Sequence, residues 1–238
     1  MTTKSIENLN KSRNPSTYDA MIDIETLDVS PTSIVVSIGY IIFKMEPTIK
    51  DSVKYTKRYN IQIEGQEALG LTRSVKTEKF WKRPQNKEAF ENLQKDTIPL
   101  KTTLESLTKD LASIRIQNFW ANSPNFDYVI LENAYKACGI GCDQIPWKFY
   151  QLRDVRTVKW VSGQYFGHLK RNSEEDRKGI LEFLDDISSH DPLFDCAMQI
   201  MDVIHLNNSM ELRSKDKEED EKEKKFLKCE HEPDVGNV

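Results

Sequence analysis

From Ser33 to Phe43 the chain reads Ser-Ile-Val-Val-Ser-Ile-Gly-Tyr-Ile-Ile-Phe, an uncharged run dominated by Ile and Val. Branching at Cβ favours extended backbone, so this run predicts a β-strand, and the rest of the chain has to build a sheet around it. Tyr18-Asp-Ala-Met-Ile-Asp-Ile24 alternates and predicts a second strand, with turn chemistry between the two in Asp28-Val-Ser-Pro-Thr32. A third strand is expected over about Val53 to Ile63, which makes an antiparallel meander the opening of the fold. Ser37 and Gly39 interrupt the apolar run well short of the roughly 18 residues that a membrane span needs, so no membrane partner is expected. The first twenty residues lack the apolar centre of a signal peptide, and a cytosolic protein is expected.

Beyond the meander the apolar spacing becomes helical. Thr77 to Lys95 and Pro99 to Ile114 predict helices, the latter through Leu100, Leu104, Leu107, Leu111 and Ile114. Gln117 to Ala121 predicts a short strand, and Ser123-Pro124-Asn125 introduces a helix from Phe126 to Ala137 that Gly139 ends. Lys148 to Arg153 reads as another strand, followed by a helix from an Asp154 cap to about Val161, then a polar loop from Gly163 to Arg177. A last helix is expected from Asp191 to Met210, with Leu193, Ala197, Ile200, Met201 and Ile204 near one face. This alternation predicts an α/β domain, a mixed sheet with helices on its faces. Three regions are expected: a flexible arm over residues 1–17, one domain over 18–210 and a charged, disordered tail over 211–238.

Charge narrows the function only after it is divided along the chain. The net charge is −4. The last 28 residues hold ten acidic and seven basic side chains, so residues 1–210 keep 28 acids against 27 bases, a net of −1. The cysteines Cys138, Cys142, Cys196 and Cys229 form no CxxC unit, which argues against a zinc site and for idle thiols.

Three acidic patterns carry chemistry. Asp23-Ile-Glu25 ends an otherwise apolar strand, and the period of two points both carboxylates the same way. Like charges that close repel each other, so a cation between them is the natural complement, although two acids could also mark a solvated strand end. Asp127 lies in the first turn of a helix after Trp120-Ala-Asn122, where exposed amides favour an acid for structural reasons alone. His190-Asp-Pro-Leu-Phe-Asp195 opens the final helix, with Asp195 one turn in and His190 at the entrance, where a lone histidine is usually a cap or surface residue.

In this order and context the three patterns resemble the DEDDh 3′→5′ exonucleases, which have a ribonuclease H-like fold. More narrowly, the chain resembles the group containing the mycobacterial 3′→5′ exoribonuclease domain and exonuclease A of T-even bacteriophages. Asp23-Ile-Glu25-Thr26, Asn122 to Leu131, Arg153-Asp-Val-Arg-Thr157 and His190 to Ala197 carry the likeness, which covers roughly residues 18–206. It implies a ribonuclease H-like mixed sheet, an antiparallel meander plus parallel strands flanked by helices. It also implies two Mg²⁺ or Mn²⁺ ions on Asp23, Glu25, Asp127 and Asp195, with Asp23 bridging, and His190 taking the proton from the attacking water. The product would be a nucleoside 5′-monophosphate. Thr26 is expected at the terminal nucleotide, Asn122 at a phosphate or a helix entry, and Trp81, within Lys76-Thr-Glu-Lys-Phe-Trp-Lys-Arg-Pro84, at a stacked base, with a packed helix start flanked by solvated lysines as the alternative. The family often has a tryptophan pair there, whereas this chain has Phe80-Trp81. Asp154 reads as a helix cap, with phosphate contact by Arg156 left open.

The expected partner is nucleic acid with a free 3′ end. Chain size and the single-domain plan favour single-stranded DNA, with RNA as the alternative. The competing readings are an inactive nucleic-acid-binding module on the same fold, a ribonuclease H-like endonuclease or strand-transfer enzyme, and a small-molecule phosphoesterase. The module would be expected to lack one of the five site residues, all of which are present, and His190 favours the exonuclease over the endonuclease.

Overall fold

The computed structural model describes residues 17–166, 178–180, 184 and 190–229. Five strands, β1 (Tyr18–Thr26), β2 (Val35–Phe43), β3 (Val53–Asn60), β4 (Ile116–Ala121) and β5 (Leu152–Asp154), form one sheet in the order β3-β2-β1-β4-β5. β1 to β3 make the expected antiparallel meander, because their short connections permit nothing else. β4 and β5 join parallel to β1 after helical crossovers. The helices include α1 (Ile49–Ser52), α2 (Val75–Trp81), α3 (Pro84–Leu93), α4 (Leu100–Ala112), α5 (Pro124–Ala137), α6 (Val155–Phe166) and α7 (Pro192–Cys229). No helix among the described residues is long and apolar enough to cross a membrane.

Alternation along β1 divides the core. Ala20, Ile22 and Ile24 join the cluster that holds Leu104, Leu107 and Leu111 of α4 and Tyr128, Leu131 and Tyr135 of α5. Met21 belongs to the opposite face, packed with Ile41, Phe43, Phe194, Ile200 and Ile204 under α7. Asp23 and Glu25 share the parity of Met21, so the same period that buries the strand turns both acids toward α7. β2 is buried along its whole length, which explains why its run carries no alternation.

Gly39 sets how closely α7 approaches. It pairs with Asp23 across β1 and β2, and a Cβ built there would lie 2.7 Å from the Pro192 carbonyl carbon and 2.9 Å from the Leu193 nitrogen. Both are backbone atoms at the start of α7 and have little room to move. Gly39→Ala is expected to cost about 1–3 kcal/mol, as overpacking does. A thermal melt checks the stability loss, and activity should fall with it because Asp195 moves with the helix.

Several boundaries differ from expectation for local reasons. The helix expected over Thr77 to Lys95 is two helices, since Pro84 opens α3 and cannot continue α2, while Asn86 Nδ2 donates to the Phe80 carbonyl across the break (2.9 Å). Of the strand expected over Lys148 to Arg153, only Leu152–Asp154 pairs; Phe149–Gln151 is a 3₁₀ turn. α6 runs past Val161 to Phe166, into the first residues of the expected loop, and residues 167–177 of that loop lie outside the described residues. The last helix does not stop at Met210 but continues to Cys229, so residues 211–229 are helical where a disordered tail was expected. The sequence of this run spaces Glu218 and Lys222, and Glu221 and Lys225, four apart with the acid first, the order that favours helix formation. Residues 1–16 of the expected arm and 230–238 lie outside the described residues.

Candidate active site

Four carboxyl groups gather at the carboxyl-end side of the sheet, two near the end of β1 itself and two at the starts of helices. Asp23 and Glu25 come from β1, Asp127 from the first turn of α5, and Asp195 from the first turn of α7. Ligand-capable atoms of Glu25, His190 and Asp195 lie within 4.8 Å of one another, a group able to hold a metal ion. Burial, then repulsion from Asp127, Asp195 and Glu25, pushes the Asp23 carboxyl well above the usual range, while a hydrogen bond from Gln199 opposes this. Glu25 is raised well above its range by burial and by Asp195, Asp127 and Asp191. Burial takes Asp127 up to about 7, against backbone hydrogen bonds at Asp127 and Ile24 and the nearby Arg156 charge. Asp195 is also raised by burial, with His190 opposing.

These shifts dictate a pH dependence without added cations. Carboxyls whose folded pKa lies above the unfolded value contribute stability that is full below about pH 4 and is lost as pH rises through the folded pKa. Between about pH 4 and about 7 for Asp127, and further up for Asp23 and Glu25, the native state binds more protons than the unfolded chain. In EDTA the protein is therefore expected to melt at a lower temperature at pH 8 than at pH 5.5, read by circular dichroism. A flat or rising profile would contradict the burial of these groups.

His190 sits at φ 67° in the left-handed region, where a non-glycine residue is uncommon. Its ring lies edge-on to Phe80 and Trp81, with centroids 5.2 and 5.9 Å away. Asp191 locks the entrance: its Oδ1 accepts from the Leu193 backbone N–H at 2.9 Å, and Arg58 of β3 pairs with its Oδ2.

The expected substrate contacts fare differently. Trp81 is 3% exposed, so it is not an open stacking face; its Nε1 donates to the Thr26 carbonyl (2.9 Å) and its ring packs on Phe90. What surface it keeps lines a cavity of about 860 Å³ that it shares with Leu27, Arg73, Lys82 and Phe90. The Thr26 hydroxyl donates to the Asp28 carbonyl at 2.7 Å, so its proton is already engaged. Asn122 follows β4 directly, and its Oδ1 is buried without a hydrogen-bond partner, leaving an acceptor aimed at no protein donor. Asp154 is the cap its position predicts, accepting from the Arg156 backbone N–H (3.0 Å) and the Thr157 hydroxyl (2.6 Å). Arg156 is exposed on the first turn of α6, and its charge opposes the rise of the Asp127 carboxyl.

A family model described as the 3′-5′ exoribonuclease Rv2179c-like domain matches residues 18–203. The chain belongs to that family. The match spans every strand, the four carboxylates and His190 of this Rv2179c-like domain. Among solved structures, E. coli exonuclease I in complex with a dT13 oligonucleotide superposes with a TM-score of 0.56 at 8% identity, over 80% of this chain and 41% of that one. Exonuclease I from Methylocaldum szegediense gives 0.53 at 9% identity, over 78% and 39%. Cell-death related nuclease 4 gives 0.50 at 12% identity, over 81% and 64%. The Rv2179c-like domain thus has the ribonuclease H-like exonuclease fold and spans about two fifths of the exonuclease I chains it superposes on. No curated protein matches its sequence.

Three residues that shape the site of this Rv2179c-like domain escaped the sequence reading. Gln199 Nε2 donates to Asp23 Oδ1 at 2.8 Å and is buried. The signal was present, since Gln199 lies four residues after Asp195 on a helix and so shares its face. Arg58 and the capping role of Asp191 had no comparable signal, because an arginine in a polar strand announces no partner more than a hundred residues away.

Proposed function

We propose that this chain is a metal-dependent 3′→5′ exonuclease that removes nucleoside 5′-monophosphates from single-stranded nucleic acid. The observation that carries the reading is the convergence of Asp23, Glu25, Asp127 and Asp195 beside His190 in a domain of this family. A donor set of buried carboxylates suits hard cations such as Mg²⁺ or Mn²⁺, and their mutual repulsion is relieved by such charge. Asp23, Glu25, Asp127 and Asp195 would hold the ions. When bound, the ions make water a stronger nucleophile and neutralise charge developing on the phosphate. His190, on its aromatic shelf, accepts the proton of the attacking water at a ring nitrogen. Gln199 fixes the orientation of Asp23, and losing such an orienting partner costs about 10–100-fold in metal affinity or activity. Gln199→Met is expected to weaken Mn²⁺ binding by that factor in calorimetry. Trp81 orients Thr26 rather than stacking a base, Asn122 offers its free acceptor to substrate or a bound water, and Arg156 is available to a phosphate. The nuclease domain is taken as residues 18–210.

On the sugar, two observations favour different readings. The family description names exoribonucleases and spans residues 18–203, whereas the DNA reading is favoured by fold likeness to an exonuclease I bound to dT13, at 8% identity. RNA is the primary reading for that reason, and DNA the second. Incubation of the purified chain with 5′-labelled RNA and DNA oligonucleotides, in Mg²⁺, in Mn²⁺ and in EDTA, separates them. A metal-dependent ladder shortening from the 3′ end on RNA is expected. A ladder on DNA alone reverses the sugar, and intact strands that remain bound favour an inactive binding module.

A further inference from the structure

The described residues expose three large aromatic side chains, Phe149 (86%), Tyr150 (66%) and Trp160 (67%), and all three flank the edge strand β5. Phe149 and Tyr150 stand edge to face at 5.4 Å on the turn before it, and Trp160 lies on α6 after it. Cations are interleaved with them: Lys148, Arg153 and Arg156 are exposed, while Lys159 pairs with Asp202. The one acid in the stretch, Asp154, is spent as the α6 cap. On α6 itself Arg156, Trp160 and Gln164 are exposed at intervals of four, so a single face carries a cation, an aromatic ring and an amide. That face begins beside the candidate active site, because Asp154 at the start of α6 pairs with Ala121 at the end of β4, and the helix that carries Asp127 follows β4.

We propose that the β5–α6 edge is a track that holds the single-stranded nucleic acid upstream of its 3′ end, with Arg156 and Arg153 meeting phosphates and Trp160 and Tyr150 stacking on bases. The inference rests on the nuclease reading of the neighbouring carboxylates. Aromatic planes alternating with cations suit a polyanion with stackable bases and need no sequence preference. A second copy of this chain is a poorer fit, since a two-fold contact would set the same arginines against each other.

Fluorescence anisotropy with an unstructured, labelled 20-nucleotide RNA, in EDTA, measures the track without turnover. Trp160→Ala and Tyr150→Ala are each expected to weaken binding roughly tenfold. Both side chains are mostly exposed, so the fold should survive their loss. With Mg²⁺ present, the same variants are expected to raise KM for the 20-mer while hydrolysing a dinucleotide as the unmodified chain does. Unchanged 20-mer binding, or equal losses on both lengths, overturns the track. A chain that is dimeric by light scattering and becomes monomeric on Trp160→Ala overturns it in favour of a self-interface. If the unmodified chain hydrolyses neither length, the nuclease reading fails instead, and the anisotropy still reports on the surface.

Discussion

Asp23→Asn is expected to lower nucleotide release by about 10²–10³-fold while raising the melting temperature of the cation-free protein. The two effects have one origin. Asp23 is buried with three other carboxyls around it, so its charge costs stability unless cations compensate. An asparagine keeps the shape, and its amide oxygen still accepts the Gln199 hydrogen bond (2.8 Å in the native protein). It cannot supply the charge that would hold cations, and losses of that size follow when a preorganised electrostatic group is removed. A gain of about 1 kcal/mol in a domain of this size moves the midpoint by about 2–4 °C, which calorimetry in EDTA at pH 8 resolves. A variant that loses activity and also melts lower would make Asp23 a structural residue.

Removal of His190 is the second large effect. A positioned acid or base is worth about 10²–10⁴-fold in rate, so kcat should fall by that much. The choice of variant matters, because at φ 67° an alanine is strained whereas a glycine adopts the conformation freely. His190→Gly therefore separates chemistry from folding. It should keep the native melt, apart from the lost contacts to Phe80 and Trp81, and still lose kcat. Single-turnover hydrolysis that stays within about tenfold of the unmodified chain would mean that the proton goes elsewhere.

The sheet was legible because its information is local. Val and Ile in β2, the alternation in β1 and the leucine stripe of α4 each report their own neighbourhood, and the strands fell within a few residues of expectation. The candidate site was legible only in combination: Asp23-Ile-Glu25, Asp127 and His190 to Asp195 each have an ordinary structural explanation, and their order along the chain distinguishes them. What could not be read is what depends on distant packing. Trp81 looked like a stacking residue beside lysines, yet the fold turns it inward onto Thr26 and His190. The run after Met210 has the composition of a solvated tail, and its acid-to-lysine spacing, which the composition hides, accompanies a continuous helix to Cys229. Gly39 gave no sign that α7 would seat on it, because the strand residue and the helix start are far apart in sequence.

The central claim, that these five residues remove nucleotides from a 3′ end, is tested most directly by the chemical identity of the first product. An RNA oligonucleotide with a different nucleotide at each end, digested briefly in Mg²⁺ and analysed by mass spectrometry, should release first the 5′-monophosphate of its 3′-terminal nucleotide. The remaining strand should end in a free 3′-hydroxyl. Release of the 5′-terminal nucleotide, of internal fragments or of 3′-phosphates would contradict the account, whatever the metal dependence of the reaction.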